Sequence, residues 1–209
     1  MSADTRAKLI EGSLAALRAH GIAGVSARTI AKEAGVNQAL VFYHFGSIDQ
    51  LLAEACRSAT EARVAAYRKR FSAVTSLREL LDLGRDLHAE EREQGNVTVL
   101  AQLLAGAQSD PRLVPAVSGA LALWTAEIEQ VIARLLVRSP IAELAEPAGL
   151  ASAVSAAFVG LELFEGVDEP AAASAFLALE RLAVLAEVVD DLGPVARRAL
   201  RAKLRTRRS

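Results

Sequence analysis

Apolar residues recur at intervals of three and four along almost the whole of this 209-residue chain, and two-residue alternation is nearly absent. Ile10, Leu14 and Leu17 form one stripe, Leu77, Leu80, Leu81 and Leu87 a second, and Leu121, Trp124, Ile128, Ile132 and Leu135 a third. A 3.6-residue period gathers such residues on one face of a helix, whereas a strand needs a period of two. The spacing predicts an all-α protein. Helices are expected near residues 4–20, 26–33, 37–44, 47–71, 76–93, 96–108, 111–138, 147–165, 169–192 and 194–206. Ser47 with Gln50 and Ser76 with Glu79 read as capping boxes, and Asp110 before Pro111 reads as an N-cap followed by proline in the first turn. Gly21, Gly95 and Gly193 mark helix ends. A shift in composition near residue 71 divides a small head from a larger helical body.

Composition removes other classes. Thirteen Gly and six Pro are too few for a linker-dominated or collagen-like chain. Cys56 is the only cysteine, so neither an internal disulfide nor a thiolate zinc site is available, and a reducing, cytoplasmic setting is expected. Glu11 follows directly on Leu9 and Ile10, which leaves no signal-peptide stretch at the start. The uncharged stretches 94–109 and 113–126 fall short of the roughly 20 apolar residues of a membrane helix, so no membrane contact is expected. His20, His44 and His88 form no HExxH pair, no glycine-rich phosphate loop follows a strand, and no GxSxG elbow occurs. The expectation is a non-enzyme with no metal and no cofactor.

The net charge of −1 hides an asymmetry. Residues 1–71 carry 10 Lys and Arg against 6 Asp and Glu, residues 72–194 carry 7 against 19, and residues 195–209 carry 7 against none. Contact with a polyanion therefore belongs to the two ends.

The most informative segment is 25–52, VSARTIAKEAGVNQALVFYHFGSIDQLL. A short helix from Ser26, a break at Ala34, Gly35 and Val36, and a second short helix from Asn37 make a helix-turn-helix over 26–45. Small Ala31 lets two helices cross closely, and Gly35 supplies the positive φ of a tight turn. Val36, Leu40 or Val41, and Phe45 pin the second helix, and Asn37 caps it. That helix is about 12 Å long at 1.5 Å per residue, close to the width of the major groove.

Thr29-Ile30-Ala31 with Ala34-Gly35-Val36, then Val41-Phe42-Tyr43-His44-Phe45-Gly46-Ser47 and Leu51-Leu52, resemble the "IA..AGV" and "LYYHF.SK..LL" patterns of the tetracycline-repressor (TetR) family of bacterial transcription regulators. The resemblance covers roughly residues 6–55. It implies a DNA-binding head (1–52), a helical effector-binding and dimerisation body (53–193) and leaves a basic C-terminal tail (194–209). It also places Ser26, Arg28, Asn37, Gln38, Leu40, Tyr43 and His44 where the family meets DNA. Arg28 suits guanine O6 and N7, Asn37 or Gln38 suits adenine, and Ser26, Tyr43 and His44 suit phosphate. Phe42 stands where the family often has tyrosine and Ile48 where it often has lysine. Two phosphate donors are thereby missing, and a shallow salt dependence is expected from the head.

In the body, the resemblance implies a homodimer through the last long helices, with Leu150, Val154, Phe158, Leu161, Phe176, Leu179, Leu182 and Val189 at the interface, or alternatively in ordinary intrachain core. A pocket for an unknown small-molecule effector is expected among residues 76–165, walled by Leu100, Leu103, Leu104, Trp124 and Phe164 with Gln102, Gln108 and Thr125 as polar handles, and a core reading fits these residues as well. Glu162, inside the apolar run FVGLELF, is either a buried acid that selects a cation or the end of an exposed face. Cys56 reads as a small buried hydrophobe or a redox sensor. The tail, with Ala196, Leu200 and Leu204 four apart among cations, is either a solvated end or a basic amphipathic helix that adds to DNA attraction or meets membrane or RNA. The resulting expectation is a dimeric, ligand-released repressor on palindromic operator DNA. The alternative is a helical dimer that binds a ligand or protein without specific DNA recognition, a reading that Leu40, Phe42 and Ile48 sustain.

Overall fold

Helices in this chain begin where a side chain can accept from the free N–H groups of the first turn, and several end where glycine can turn the backbone. The computed structural model describes residues 2–137, 139–143 and 146–208. Over these, ten α-helices follow one another: α1 (Ser2–His20), α2 (Ala27–Ala34), α3 (Ala39–Phe45), α4 (Ile48–Ala73), α5 (Leu77–Glu93), α6 (Asn96–Ser109), α7 (Val114–Leu136), α8 (Pro147–Glu165), α9 (Glu169–Asp190) and α10 (Pro194–Arg208). Short 3-10 turns lie at Ile22–Gly24, Pro111–Leu113 and Pro140–Glu143, and no strand occurs among the described residues. The protein is all-α.

Local chemistry accounts for the ends. Gly21 and Gly95 adopt φ of 64° and 72° at the junctions after α1 and α5. Ser76 Oγ accepts from the Glu79 N–H at 3.1 Å, but the Glu79 carboxylate reaches back to Thr75, whose N–H and hydroxyl donate at 2.6 and 2.9 Å, and not to Ser76 itself. These bonds, the Thr75 N–H foremost, hold the Glu79 carboxyl below its usual range. The helix expected from Pro111 starts later. Asp110 Oδ1 accepts from the Arg112 N–H at 3.0 Å and caps a 3-10 turn, so α7 begins only at Val114. The expected end of that helix at Arg138 lies outside the described residues, as do Met1 and Ser209 of the domain outline.

The chain forms two units. One takes the chain up to Ala65 together with Ala89–Leu123, and the other takes Ala66–His88 and the chain from Trp124 on. In the first, α1 serves two apolar clusters at once. Its Leu9 and Ala16 pack with Ile30, Val41, Phe45 and Leu51, while its Leu17 packs with Leu52, Cys56, Leu103, Leu113 and Val117. Each large side chain so buried contributes about 1.5–3 kcal/mol relative to exposure. Gly12 lets α1 and α2 approach closely: a Cβ there would stand 2.7 Å from Ala34 Cβ and 2.8 Å from its backbone N. A buried polar group also belongs to this unit. Glu91 pairs with Arg63 at 3.0 Å and accepts from Asn96 at 3.0 Å, and Arg18 donates to Asn96 at 3.2 Å. Burial pushes the Glu91 carboxyl up in spite of Arg63.

In the second unit, Tyr67 and Phe71 of α4, Leu80, Leu83 and Leu87 of α5, Val131, Ile132 and Leu136 of α7 and Ala151 of α8 make one core, with the Trp124 ring 5.9 Å from Tyr67 and 6.3 Å from Phe71. Helices α8 and α9 pack together and are apolar on two sides. Ala151, Ala172 and Ala183 are buried, whereas Leu163, Phe164, Leu177, Leu182, Leu185 and Val188 stand exposed. By length and composition α8 could cross a membrane, which the stretches 94–109 and 113–126 could not. Arg197 of α10 donates to the Leu192 carbonyl at 3.2 Å and to that of Asp190, closing the end of α9.

Candidate nucleic-acid interface

The head positions its exposed side chains through two caps and one turn. Ser26 Oγ accepts from the Thr29 N–H at 3.1 Å, and Thr29 Oγ1 accepts from the Ser26 N–H at 2.8 Å, a capping box with Thr in the place usually held by Glu or Gln. At the other end of α2, Gly35 lies in the left-handed region with φ 64° and ψ 34°. The Val36 N–H donates to Ala31 O at 3.0 Å and the Gly35 N–H to Lys32 O at 3.2 Å, the paired bonds of a Schellman turn. A side chain at Gly35 would meet no neighbour, so conformation alone demands glycine. Asn37 Oδ1 then accepts from the Ala39 N–H at 2.8 Å and starts α3.

Helix α3 sorts its residues by face. Val41 and Phe45 point into the head core, and Leu40 packs half-buried against it. Phe42 and Tyr43 project outward at 53% and 80% exposure. Arg28 and Lys32 on α2 and Asn37 and Gln38 at the start of α3 are exposed. Tyr43 and His44 touch edge to face, 5.0 Å between centroids. Gly46, at φ 75°, ends α3, and Ser47 Oγ accepts from the Gln50 N–H at 3.1 Å to start α4. Other cations of this unit are engaged. Arg6 lies 5.0 Å over the Phe45 ring and pairs with Glu54 at 3.0 Å, and Arg57 pairs with Glu54 and Glu61. The Arg57 and then the Arg6 hydrogen bonds hold the Glu54 carboxyl below its usual range.

Of the expected DNA-facing set, Arg28, Asn37, Gln38 and Tyr43 are exposed and Ser26, Leu40 and His44 half-buried, with two qualifications of chemistry. The Ser26 hydroxyl is already engaged with Thr29, and Leu40 gives only part of its surface to solvent. Ile48, where the resemblance leads one to expect lysine, packs half-buried against both apolar clusters of its unit. Its place in the sequence is explained by core packing.

The residues of the expected effector wall are divided between the two units. Leu103 is buried and Leu104 half-buried beside Leu17, Leu52 and Cys56, and Gln102 Oε1 accepts from the Ile22 N–H at 3.2 Å, all in the first unit with Leu100. Trp124, Thr125 and Phe164 belong to the second, where Trp124 is core, Thr125 bonds the Ser155 hydroxyl at 3.0 Å and Phe164 is exposed. The cavity found in the second unit is lined by other residues, among them Arg85, His88, Phe158, Glu162 and Phe176. Of these only Glu162 stood out as a ligand-selecting residue, because it interrupts an apolar run. Among the residues expected at the dimer interface, Leu150 and Val154 pack on the core, Phe158, Leu161 and Phe176 line the cavity, Leu179 and Val189 are half-buried, and Leu182 is 60% exposed. Cys56 is buried, and burial pushes its thiol up to about 11, which leaves little thiolate for redox chemistry near neutrality.

A recognition helix exposed on one face and fixed by a Schellman turn defines a helix-turn-helix DNA-binding protein. Residues 9–55 match the family described as bacterial regulatory proteins, tetR family. In structure the chain is similar to a protein from Rhodococcus sp. described as a TetR-family transcriptional regulator, at 25% identity and a TM-score of 0.68 over 90% of this chain and 100% of that one. It is similar also to a transcriptional regulator, SCO7518, from Streptomyces coelicolor A3(2), at 24% identity and 0.67 over 86% and 98%. A third likeness is to the multidrug binding protein EbrR in complex with imidazole, at 26% identity and 0.62 over 85% and 94%. No curated protein is significantly similar in sequence. The head is a TetR-family DNA-binding domain, and the whole chain has the fold of the TetR-family transcriptional regulators.

Proposed function

We propose that this protein is a homodimeric one-component transcriptional repressor that holds a palindromic operator through α2 and α3 and releases it when a small-molecule effector binds. The carrying observation is the exposed face made by Arg28, Asn37, Gln38 and Tyr43 around the Gly35 turn. Arg28 donates to guanine, Asn37 or Gln38 pairs with adenine, and Ser26, Tyr43 and His44 hold phosphate, with Leu40 offering an apolar edge to a thymine methyl. Reading DNA of this kind places the protein in the cytoplasm.

A head this small reads only one half-site, and two must be held about one helical turn apart. The exposed apolar face of α8 and α9, with Phe164, Leu177, Leu182, Leu185 and Val188, suits a second copy as its cover. Support for an effector comes from EbrR, described as multidrug binding and solved with imidazole, proflavin and malachite green.

The test is anisotropy of labelled DNA from upstream of the protein's own gene, titrated with full-length protein at several salt concentrations beside a scrambled duplex. Preference for the native sequence is expected, and Arg28→Ala and Gln38→Ala should each remove about 1–3 kcal/mol of it, the discrimination that one good side chain–base pair supplies. A dimer whose DNA binding ignores both substitutions overturns the regulator reading and leaves a ligand- or protein-binding module.

A further inference from the structure

We infer that the cavity walled by α5, α8 and α9 is a seat for an organic cation with a flat aromatic body. The inference rests on the regulator reading only in taking that cation to be the effector.

The cavity encloses about 370 Å³, within the range of small-molecule sites. Phe158, Leu161, Phe176 and Leu177 supply apolar wall, and Glu162, Glu165, Glu169 and Glu180 face the same space. Arg85 and His88 are its basic residues, so carboxylates outnumber cations. Such a lining attracts a cation and repels an anion of the same shape.

The arrangement of these groups is more telling than their number. The Arg85 guanidinium lies 4.4 Å over the Phe176 ring and is ion-paired with Glu180. His88 meets the Phe158 ring edge to face at 6.1 Å, with Nδ1 3.2 Å from Glu162 Oε1 and Nε2 bonded to Glu165. A neutral imidazole can donate to one of those carboxylates only, the protonated ring to both. Twice over, then, the cavity holds a nitrogen group against an aromatic ring with a carboxylate behind it. That combination recognises an organic cation, whose charge is balanced by the acid while its body rests on the ring.

Gly84 of α5 makes room for the Phe158 ring, since a Cβ there would stand 2.9 Å from Phe158 Cε2. Arg85 is half exposed, so its arm can swing into water and leave Phe176 and Glu180 to the ligand. Glu162 stays, because its side chain is only 9% exposed and held by His88. Leu177 forms the lip and is part of the exposed apolar face of α9. A cation that moves this lip alters the surface assigned above to the second copy.

The experiment uses the full chain without DNA, titrated against proflavin and read by its fluorescence anisotropy. The expected result is one saturable site per chain, displaced by the flat cation N-methylquinolinium but not by anthracene sulfonate. Glu162→Gln should weaken binding at least about tenfold, as removal of one member of a desolvated charge pair does. Arg85→Gln should tighten it several-fold, because the internal competitor is gone, and this exposed substitution leaves the fold intact by circular dichroism. Absence of saturable binding by both cations, displacement by the sulfonate, or weaker binding in Arg85→Gln overturns the inference. Operator binding is measured separately without ligand. Specific DNA binding with no cation site sinks this inference alone, and a cation site with no specific DNA binding sinks the regulator reading alone.

Discussion

Gly12→Ala is expected to damage the head, although alanine is the better helix former. Gly12 lies inside α1, where replacing glycine by alanine ordinarily gains about 1 kcal/mol. Here the new methyl would stand 2.7 Å from Ala34 Cβ, 2.8 Å from Ala34 N and 3.0 Å from its Cα. Carbon atoms rest at about 3.5–4.0 Å, so α1 and α2 must part by roughly 1 Å. No rotamer change relieves a clash with backbone. Overpacking of this kind costs about 1–3 kcal/mol, and more where backbone must move. The net loss should be about 1–2 kcal/mol, a fall in Tm of about 2–8 °C for a chain of this size. Because Ser26 caps α2 and Arg28 rides on it, operator affinity should fall as well. Thermal unfolding followed at 222 nm measures the effect, with Gly119→Ala as the control. Gly119 lies in α7 with nothing within 4 Å of its hypothetical Cβ, so that variant should gain about 0.5–1 kcal/mol. If Gly12→Ala melts at or above the wild type, the close crossing of α1 and α2 is not what holds glycine at this position.

Three further outcomes are expected. The Cys56 thiol, pushed from 9.0 to about 11, should resist alkylation at pH 8 in the native protein and react on unfolding; native reactivity equal to a free thiol would refute the burial. Since the unfolded thiol ionises first, stability relative to Cys56→Ala should hold below pH 9 and fall by about 3 kcal/mol as pH rises towards 11, measured by denaturant titration. Leu185→Glu places a charge on the exposed apolar face of α9 and should turn the proposed dimer into a monomer in sedimentation velocity, with unchanged helicity by circular dichroism; a persisting dimer would move the interface elsewhere. For the basic helix α10, Arg198→Gln with Lys203→Gln should leave sequence preference intact and lower the salt slope of DNA binding by about 0.9 for each phosphate no longer neutralised. These exposed positions serve better than truncation after Gly193, which would also remove the Arg197 bonds that close α9. An unchanged slope rules out a contribution of α10 to DNA attraction.

The features that the sequence alone determined are those that act over a few residues. Helix spans follow from a 3.6-residue period, and their ends from Ser26, Asn37, Ser47 and Ser76 beside the glycines at 21, 35 and 95, whose bonds close within five residues along the chain. The helix-turn-helix was legible for that reason. Where apolar residues occupy every side of a helix, periodicity carries no information about which side is buried. In α8 and α9 only packing decided that Leu150, Val154 and Ala183 turn inward while Leu177, Leu185 and Val188 face solvent. The same holds for Leu103, expected in a pocket wall and found in the core with Leu17. Gly12 looks like any helical glycine until Ala34 is set against it. The cavity depends on pairs 74 and 77 residues apart, His88 with Glu162 and Glu165. No local pattern encodes such pairs, because the free energy that joins them comes from the burial of whole helix faces and exists only once the chain has folded.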